Sequence, residues 1–331
     1  MTPTSATERR RALMVIIALP IIWGTTFSVV QHSFTDITPV AFALIRFGLA
    51  SALFLGASSA ARRGLRTLFV PRSAGERSFR RDMLTLGLAF GGGYILQNLG
   101  LLTTTTSKSA FLTSTTIIWT PLLSRLLGRE HLRARVLLSI LITVSGVVLM
   151  TAPWKASGVV LGDALTLGCA MMFAIYIIWT DRAMLDAKAI AGSEHEATMM
   201  VTSTQIIVAL LLFVVTMPFI EQPHVAFTRF SVAALVYTAL VATILTAYLQ
   251  TRFQHHVSPT VAAIIYMLEP VVAMIIAELF LTERMGFLEL LGGGLIILGV
   301  VVAQGTSLGE PGAATVGATA PPERLHPEPH R

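Results

Sequence analysis

Two charged side chains, Glu269 and Arg46, lie inside apolar stretches of this sequence and are its main candidates for chemistry. A charge in membrane hydrocarbon costs about 2.5–3.5 kcal/mol on insertion scales, so each such residue calls for a function or a structural partner. Glu269 lies about ten residues into the stretch 259–281, which is about 15 Å at the helical rise per residue. A carboxylate at this depth could bind and release a proton, or it could form a structural hydrogen bond or ion pair.

Arg46 lies about eight residues into the stretch 38–58 and is the only cation well inside an apolar stretch. Its guanidinium could neutralise Glu269 or hold a substrate carboxylate through two parallel hydrogen bonds. It could equally bind helix-end carbonyls or form a structural ion pair. We expect both charged residues to face the interior of the protein, and direct substrate contact is predicted for neither.

Aromatic, amide and hydroxyl side chains in other apolar stretches are candidates for the lining of an internal cavity. These candidates are Trp23, Phe27, Gln97, Asn98, Thr116, Trp119, Tyr176 and Tyr266. Such a lining suits a small zwitterionic or amphipathic solute. Pro121 and Pro270 are predicted to kink their helices, because proline lacks the N–H that bonds one turn back.

Motifs for other chemistries are missing from the sequence. No H-E-x-x-H or G-x-S-x-G motif occurs, and no intramembrane aspartate pair. The adjacent His255 and His256 would point about 100° apart on a helix and could not chelate one ion together. A single cysteine, Cys169, allows no intrachain disulfide. We therefore predict no enzyme, no metal centre and no cofactor.

The composition predicts that lipid is the main solvent of this chain. Hydrophobic residues make up 54% of its 331 residues and charged residues only 13%, whereas soluble domains carry about 25% charged residues. The net charge of +6 does not indicate nucleic-acid binding, because the arginines cluster in short loops between apolar runs. The bilayer is therefore the predicted partner, and nucleic acid is not.

Ten apolar stretches have the length that a membrane-spanning helix needs, roughly 17–25 residues. Backbone amides in hydrocarbon must be bonded within their own segment, so these stretches are predicted to be helices. They cover about residues 12–31, 38–58, 83–103, 109–128, 134–152, 159–180, 198–219, 231–251, 259–281 and 286–305.

The distribution of positive charge predicts the orientation of the chain. Nineteen of the 24 Lys and Arg residues fall in loops on one side, four fall on the other side, and Arg46 lies within a stretch. Because positively charged loops stay in the cytoplasm, both termini are predicted to be cytoplasmic.

An internal repeat divides the chain into two halves of five predicted helices. Matching residues recur at an offset of 149 and then of 153: Ser109 with Ser258, Pro121 with Pro270, and Glu130 with Glu283. Because five is odd, the second copy must enter the membrane inverted, as in many secondary transporters. The predicted domains are a cytoplasmic N-terminus (1–11), two inverted repeats (12–152 and 153–305) and a disordered cytoplasmic tail (306–331).

Over about residues 12–305 the sequence resembles the drug/metabolite transporter superfamily, in particular its ten-helix EamA-type branch. The similar segments are 23–27, Arg46, 162–163, 268–270, 282–284 and the glycine-rich 292–299. The resemblance implies export or exchange of small metabolites across the bacterial inner membrane. Two features depart from the family pattern: the first half is one turn short between Pro121 and Glu130, and the Arg-rich segment 59–82 is longer than the family needs.

The predicted protein is therefore an all-α secondary transporter of the inner membrane, either a monomer or a homodimer. It would export small metabolites, such as amino acids or amphipathic compounds, by alternating access, with proton coupling through Glu269 as one option. The alternatives are an exchanger of sugar-linked or phosphorylated solutes, a passive channel, or an intramembrane enzyme.

Overall fold

The computed structural model of the protein describes residues 6–104, 106–129, 132–151, 161–281 and 286–308. These residues form helices and turns without a named strand, and one isolated β-bridge pairs Ile37 with Val225. The helices are α1 (Ala6–Ser33), α2 (Pro39–Ala57), α3 (Ser59–Phe69), α4 (Ala74–Gly100), α5 (Thr106–Ser114), α6 (Thr116–Leu126), α7 (Ala134–Thr151), α8 (Leu161–Ile190), α9 (Glu194–Ile220), α10 (Arg229–Ala239), α11 (Thr246–Phe253), α12 (Pro259–Tyr266), α13 (Leu268–Leu281) and α14 (Phe287–Leu308). The predicted tail, Glu130 and Glu283 lie outside the described residues.

Helical segments long and apolar enough to cross a membrane confirm that this is a multi-pass membrane protein. Six segments qualify by length and hydropathy among the described residues, and Ala134–Met150 and Pro259–Ala273 are shorter apolar helices. The six are Thr7–Ser33, Pro39–Ala57, Leu161–Ile190, Glu194–Ile220, Arg229–His256 and Phe287–Gln304. Many large apolar side chains on these helices face outward, as lipid-facing surfaces require.

Helix α3 differs from the prediction, because the segment 59–82, which contains seven arginines, has the composition of a polar loop. Ser58 ends α2 and caps α3, since its hydroxyl accepts a hydrogen bond from the Ala61 N–H at 3.2 Å. Apolar and small residues recur every three to four positions, and this face of α3 is buried against α9. An amphipathic pattern, not overall hydrophobicity, therefore forms this helix.

Three of the predicted spanning stretches are interrupted inside. The stretch 109–128 is divided into α5 and α6 at Thr115, and 259–281 is divided into α12 and α13 at Met267. Between α10 and α11, the segment Leu240–Leu245 is π-helical. Pro121 lies inside α6, six residues after the first interruption, whereas Pro270 lies in the first turn of α13, where the missing N–H would have no helical partner anyway.

Close packing of helices depends on particular glycines. Helices α7 and α14 meet at Gly146 and Gly292, so closely that a Cβ on Gly292 would lie 2.5 Å from the Gly146 carbonyl oxygen and 2.6 Å from the Met150 nitrogen. Gly294, two residues away, has no atom within 4 Å of its would-be Cβ. Small residues at such contacts let backbones approach in a membrane, where packing replaces the hydrophobic effect.

This difference predicts opposite results for two matched substitutions in α14. Gly292→Ala should destabilise the protein by about 1–3 kcal/mol, because a backbone contact must open. Gly294→Ala should be neutral or stabilising by up to about 1 kcal/mol, because alanine is the better helix former. Thermal unfolding in detergent measures both variants, and equal losses would show that the α7–α14 contact is not tight.

Candidate functional site

A cavity of about 150 Å³ lies among α1, α2, α4, α5, α6, α8 and the α11–α13 region. Both charged candidates from the sequence, Arg46 and Glu269, line it. So do Trp23, Gln97, Asn98, Thr116, Tyr176, Tyr266 and Pro270. Trp119 and Pro121 are not among its lining residues, and the side chain of Phe27 lies outside the described part of the chain.

Arg46 is held by the π-helical segment between α10 and α11. Its Nε donates to the Thr243 hydroxyl at 2.5 Å, and its Nη2 donates to the Ala242 carbonyl at 2.9 Å. The guanidinium also lies over the Tyr94 ring, 5.1 Å from the ring centroid. Arg46 is 5% exposed, so these contacts replace its hydration. The sequence offered helix-end carbonyls as one possible partner of Arg46, whereas the carbonyl that it binds, Ala242, lies in the middle of a span.

The π-helical segment explains how a helix can bind an arginine at its middle. A regular α-helix uses every interior carbonyl, whereas a π-helical turn shifts the hydrogen-bond register and often occurs at functional sites. Here the Ala242 carbonyl accepts from Arg46 and also from the Thr246 hydroxyl at 2.9 Å. The Thr243 hydroxyl donates to the Thr238 carbonyl at 2.9 Å, which leaves its lone pairs for Arg46.

Glu269 lies in the first turn of α13, directly after the interruption at Met267. A helix N-terminus favours a negative charge, so the interruption positions the carboxylate electrostatically. Helix α1 packs against this point: a Cβ on Gly24 would lie 2.9 Å from the Glu269 carbonyl oxygen. Within the described ranges no hydrogen bond or ion pair reaches the Glu269 carboxylate, and Arg46 does not neutralise it directly.

Aromatic rings form one wall of the cavity. Phe47, Phe90 and Tyr94 meet edge to face with centroids 5.2–5.5 Å apart, and Phe90 stacks on Tyr176 at 4.6 Å. On the opposite side, Trp23 and Tyr266 meet edge to face at 5.1 Å. Such pairs pack rigidly and present apolar faces with few polar atoms. The wall can therefore contact the apolar part of a solute.

Polar side chains close the cavity toward the end where α11 terminates. The Tyr176 hydroxyl donates to Gln250 Oε1 at 3.2 Å, and Gln250 Nε2 donates to Gln254 Oε1 at 2.9 Å. The Tyr266 hydroxyl donates to the same Gln254 oxygen at 3.0 Å, and Gln254 Nε2 donates to the Ile177 carbonyl at 2.8 Å. Gln254 is fully buried and lies beyond the cavity lining. We call Tyr176, Gln250, Gln254 and Tyr266 the glutamine closure.

The cavity extends in the other direction to Val30 and Leu101, near the ends of α1 and α4. Sequence reasoning missed Gln250, Gln254, Tyr94 and Thr243. The four-residue spacing of Gln250 and Gln254 was a usable signal, because it places two amides on one helix face.

The prediction that His255 and His256 point apart is wrong. They lie in a 3-10 turn, Gln254–His256, and their ring centroids are 4.1 Å apart. With Glu194 they bring three ligand-type atoms within 4.8 Å of one another. However, the Lys188 ammonium lies 2.9 Å from Glu194 and 3.1 Å from His255 Nε2, and Arg252 also pairs with Glu194. Two resident cations make this cluster a poor fit for a metal ion.

Apolar helices of spanning length around a buried cavity with both signs of charge define a multi-pass helical membrane protein with an internal polar site. The EamA-like transporter family matches the sequence over residues 10–152 and again over residues 160–304, so the chain belongs to that family, within the drug/metabolite transporter superfamily. Family membership identifies it as a transporter.

Relatives and a solved structure agree with this assignment. Two proteins of Archaeoglobus fulgidus, each named an uncharacterized transporter, are 27% identical over 299 residues and 25% identical over 287 residues. The first match covers 90% of this chain and 87% of the relative. The second covers 85% of this chain and 92% of the relative. A crystal structure is similar in fold, with a TM-score of 0.72, 16% identity, and coverage of 90% of this chain and 99% of that one.

Proposed function

We propose that this protein is a secondary transporter that exports small metabolites, such as amino acids or amphipathic compounds, across the bacterial inner membrane. The observation that carries the proposal is the cavity in which Arg46 and Glu269 share one lining with aromatic rings. The sequence predicted no direct substrate contact for either charge, but Arg46, which lines this cavity, can bind the carboxylate of an amino acid. Glu269 is not paired with Arg46 and remains available to exchange a proton. The chain has no P-loop motif for ATP, so an ion or solute gradient drives transport.

The size and chemistry of the cavity favour a small solute. Its volume of about 150 Å³ is below the roughly 300–1,000 Å³ of sites for drug-sized ligands. Among the lining residues that the structure describes, Arg46 is the one Lys or Arg. Phosphorylated and sugar-linked anions usually require several cations, so exchange of sugar-linked or phosphorylated solutes is the weaker candidate.

The proposed architecture has ten spans in two inverted repeats, 12–152 and 153–305. Two observations support it: the family matches each half separately, and helix contacts recur between the halves. The interrupted α5–α6 packs on α8, as the interrupted α12–α13 packs on α1, while α7 packs on α14 between the halves. Inverted repeats provide two equivalent conformations for alternating access.

We further propose that both termini are cytoplasmic. Ala74 lies at the same end of the bundle as the N-terminus of α1, whereas Gln222 lies in the α9–α10 loop at the other end, and both are exposed. In a Cys169→Ala background, a membrane-impermeant maleimide added to intact cells should label Gln222→Cys and not Ala74→Cys. The reverse pattern would invert the orientation.

Alternating access requires the glutamine closure to break. In the conformation described here its hydrogen bonds lie at the end of the cavity nearer the α8–α9 and α11–α12 turns. If the termini are cytoplasmic, this is the cytoplasmic side. Solute then enters from the cytoplasm only after Gln250 and Gln254 have separated from Tyr176 and Tyr266.

Counterflow in liposomes tests the transport function without assuming a coupling ion. Purified protein is reconstituted in vesicles loaded with an unlabelled amino-acid mixture, and labelled amino acids are added outside. A transporter should produce a transient accumulation of label that empty vesicles lack, whereas a channel only equilibrates it. Label that accumulates only with phosphorylated solutes would support the exchanger instead, and equilibration without accumulation would refute the transporter.

A further inference from the structure

We infer that α3 and the turn after it form a docking surface for the headgroups of anionic phospholipids. The surface consists of Arg62, Arg66, Phe69, Val70 and Arg72, which are all exposed. It belongs to the Arg-rich segment 59–82. No residue between 59 and 82 lines the cavity, so its chemistry is not used by the proposed transport site.

The positive charge of this segment exceeds the acidic charge within it, although Arg81 pairs with Asp82 at 3.6 Å. Residues 59–82 contain seven arginines and two acids. Asp82 is 1% exposed and bonded to Arg182 at 2.7 Å, and Glu76 accepts a hydrogen bond from the Arg72 backbone N–H at 2.5 Å. Arg63 alone on α3 is paired with an acid, Glu196, at 2.6 Å. The other exposed arginines therefore present an excess of positive charge.

Large apolar side chains accompany these arginines on the surface. Phe69 is 62% exposed and Val70 is 59% exposed, at the end of α3 between Arg66 and Arg72. Exposed aromatic and aliphatic groups next to arginines are typical of helices that lie in the membrane interface, where rings enter the acyl boundary and guanidinium groups reach phosphates.

The position of α3 agrees with an interfacial location. Ser58 alone separates it from the end of α2, and its buried face contacts α9. A Cβ on Gly64 would lie 2.5 Å from Thr204 Oγ1 and 3.1 Å from the Met200 carbonyl oxygen. These residues are about 9–15 Å along α9 from Glu194 at the helical rise. Helix α3 thus crosses α9 in the part of α9 that is nearer its N-terminus, toward one end of the bundle.

A lipid fits this surface better than a soluble anion. Free phosphate or a nucleotide would make no use of Phe69 and Val70, whose exposure to water is unfavourable. A phospholipid satisfies both kinds of side chain at once, since its phosphate binds arginine and its acyl chains cover the apolar groups. The inference requires only that the chain is a membrane protein, and it does not depend on the proposed substrate.

Native mass spectrometry of the full chain in detergent, titrated with phosphatidylglycerol or phosphatidylcholine, tests the inference. Arg66→Gln/Arg72→Gln should weaken phosphatidylglycerol binding by about 30-fold, because two cations near the headgroup are lost. Phe69→Ser should weaken it by about 10-fold. The matched control is Arg125→Gln/Arg135→Gln, which removes two exposed arginines elsewhere and should bind like the wild type.

Three results would overturn the inference. Equal losses in the two double variants would show a general charge effect with no site on α3. Equal affinity of the wild type for both lipids would show no preference for an anionic headgroup. Full displacement of phosphatidylglycerol by glycerol phosphate would identify a site for soluble anions. Thermal unfolding of each variant in lipid-free detergent verifies that the comparison concerns folded protein.

Discussion

Glu269→Gln is expected to abolish solute accumulation driven by a pH gradient while leaving exchange of solute intact. Coupling needs a group that binds a proton in one conformation and releases it in the other, and the Gln amide keeps the shape of the carboxylate without titrating. With one proton moved per solute, a gradient of one pH unit can drive up to about tenfold accumulation. The variant should therefore show no accumulation, whereas its counterflow should change little.

The structure favours this outcome because Glu269 lines the cavity at the start of α13 and, within the described ranges, has no cation bound to its carboxylate. Glu289→Gln is the matched control: Glu289 is half-buried and outside the cavity lining, and its carboxylate accepts a hydrogen bond from the Gly286 N–H at 2.6 Å, which an amide oxygen can also accept. The control should keep accumulation. If the Glu269 variant still accumulates solute, the proton enters elsewhere, and loss of counterflow in that variant would assign Glu269 to binding or folding.

The length of the apolar stretches in the sequence was enough to predict helices such as α2 and α7. The stretch 38–58 corresponds to α2 (Pro39–Ala57), and 134–152 corresponds to α7 (Ala134–Thr151), because a backbone in hydrocarbon has hardly any alternative to a helix. Helix α3 was missed for the converse reason: its mean composition is polar, and only the spacing of Ala61, Gly64 and Leu68 marks its buried face.

Interruptions inside the helices could not be predicted from composition. No proline or glycine marks the points where the α-helical register changes, which are Thr115, Met267 and the segment Leu240–Leu245. The proline that was expected to kink the second interrupted helix, Pro270, lies three residues after the interruption. These features depend on tertiary contacts, such as Arg46 bound to the π-helical segment, and therefore require the assembled structure.

The charged residues of the cavity could be predicted from the sequence, but the residues that bind them could not. A charge in an apolar stretch is costly wherever it lies, so Arg46 and Glu269 could be found from the sequence alone. Their partners could not: Thr243 is 197 residues away from Arg46, and nothing local distinguishes it from other span threonines. Gln254 fell in an expected loop, yet it is fully buried and joins α12 to α8 through Tyr266 and Ile177.

Arg46→Lys should raise the KM for solutes that carry a carboxylate by about 10–100-fold. Lysine keeps the charge but not the planar fork, so it cannot bind Thr243 and Ala242 at once and still direct donors into the cavity. Hydrogen bonds to charged groups contribute about 1.5–3 kcal/mol each, which gives this range. Counterflow with an amino acid and with its carboxamide measures the effect, and the carboxamide should be affected much less.

The comparison of the amino acid with its carboxamide shows whether Arg46 binds the solute or only holds the helices together. If Arg46 only fastens α2 to the π-helical segment, Arg46→Lys should lower transport of acid and amide equally, together with thermal stability.

Thr243 offers the complementary test, because it contacts Arg46 from a side chain that does not line the cavity. Thr243→Ser keeps the hydroxyl and should behave like the wild type. Thr243→Val removes it and leaves the buried Nε without its partner, so the guanidinium should reorient and the preference for the acid over the amide should fall. An unchanged preference in Thr243→Val, with a loss in Arg46→Lys, would show that Ala242 alone positions the arginine.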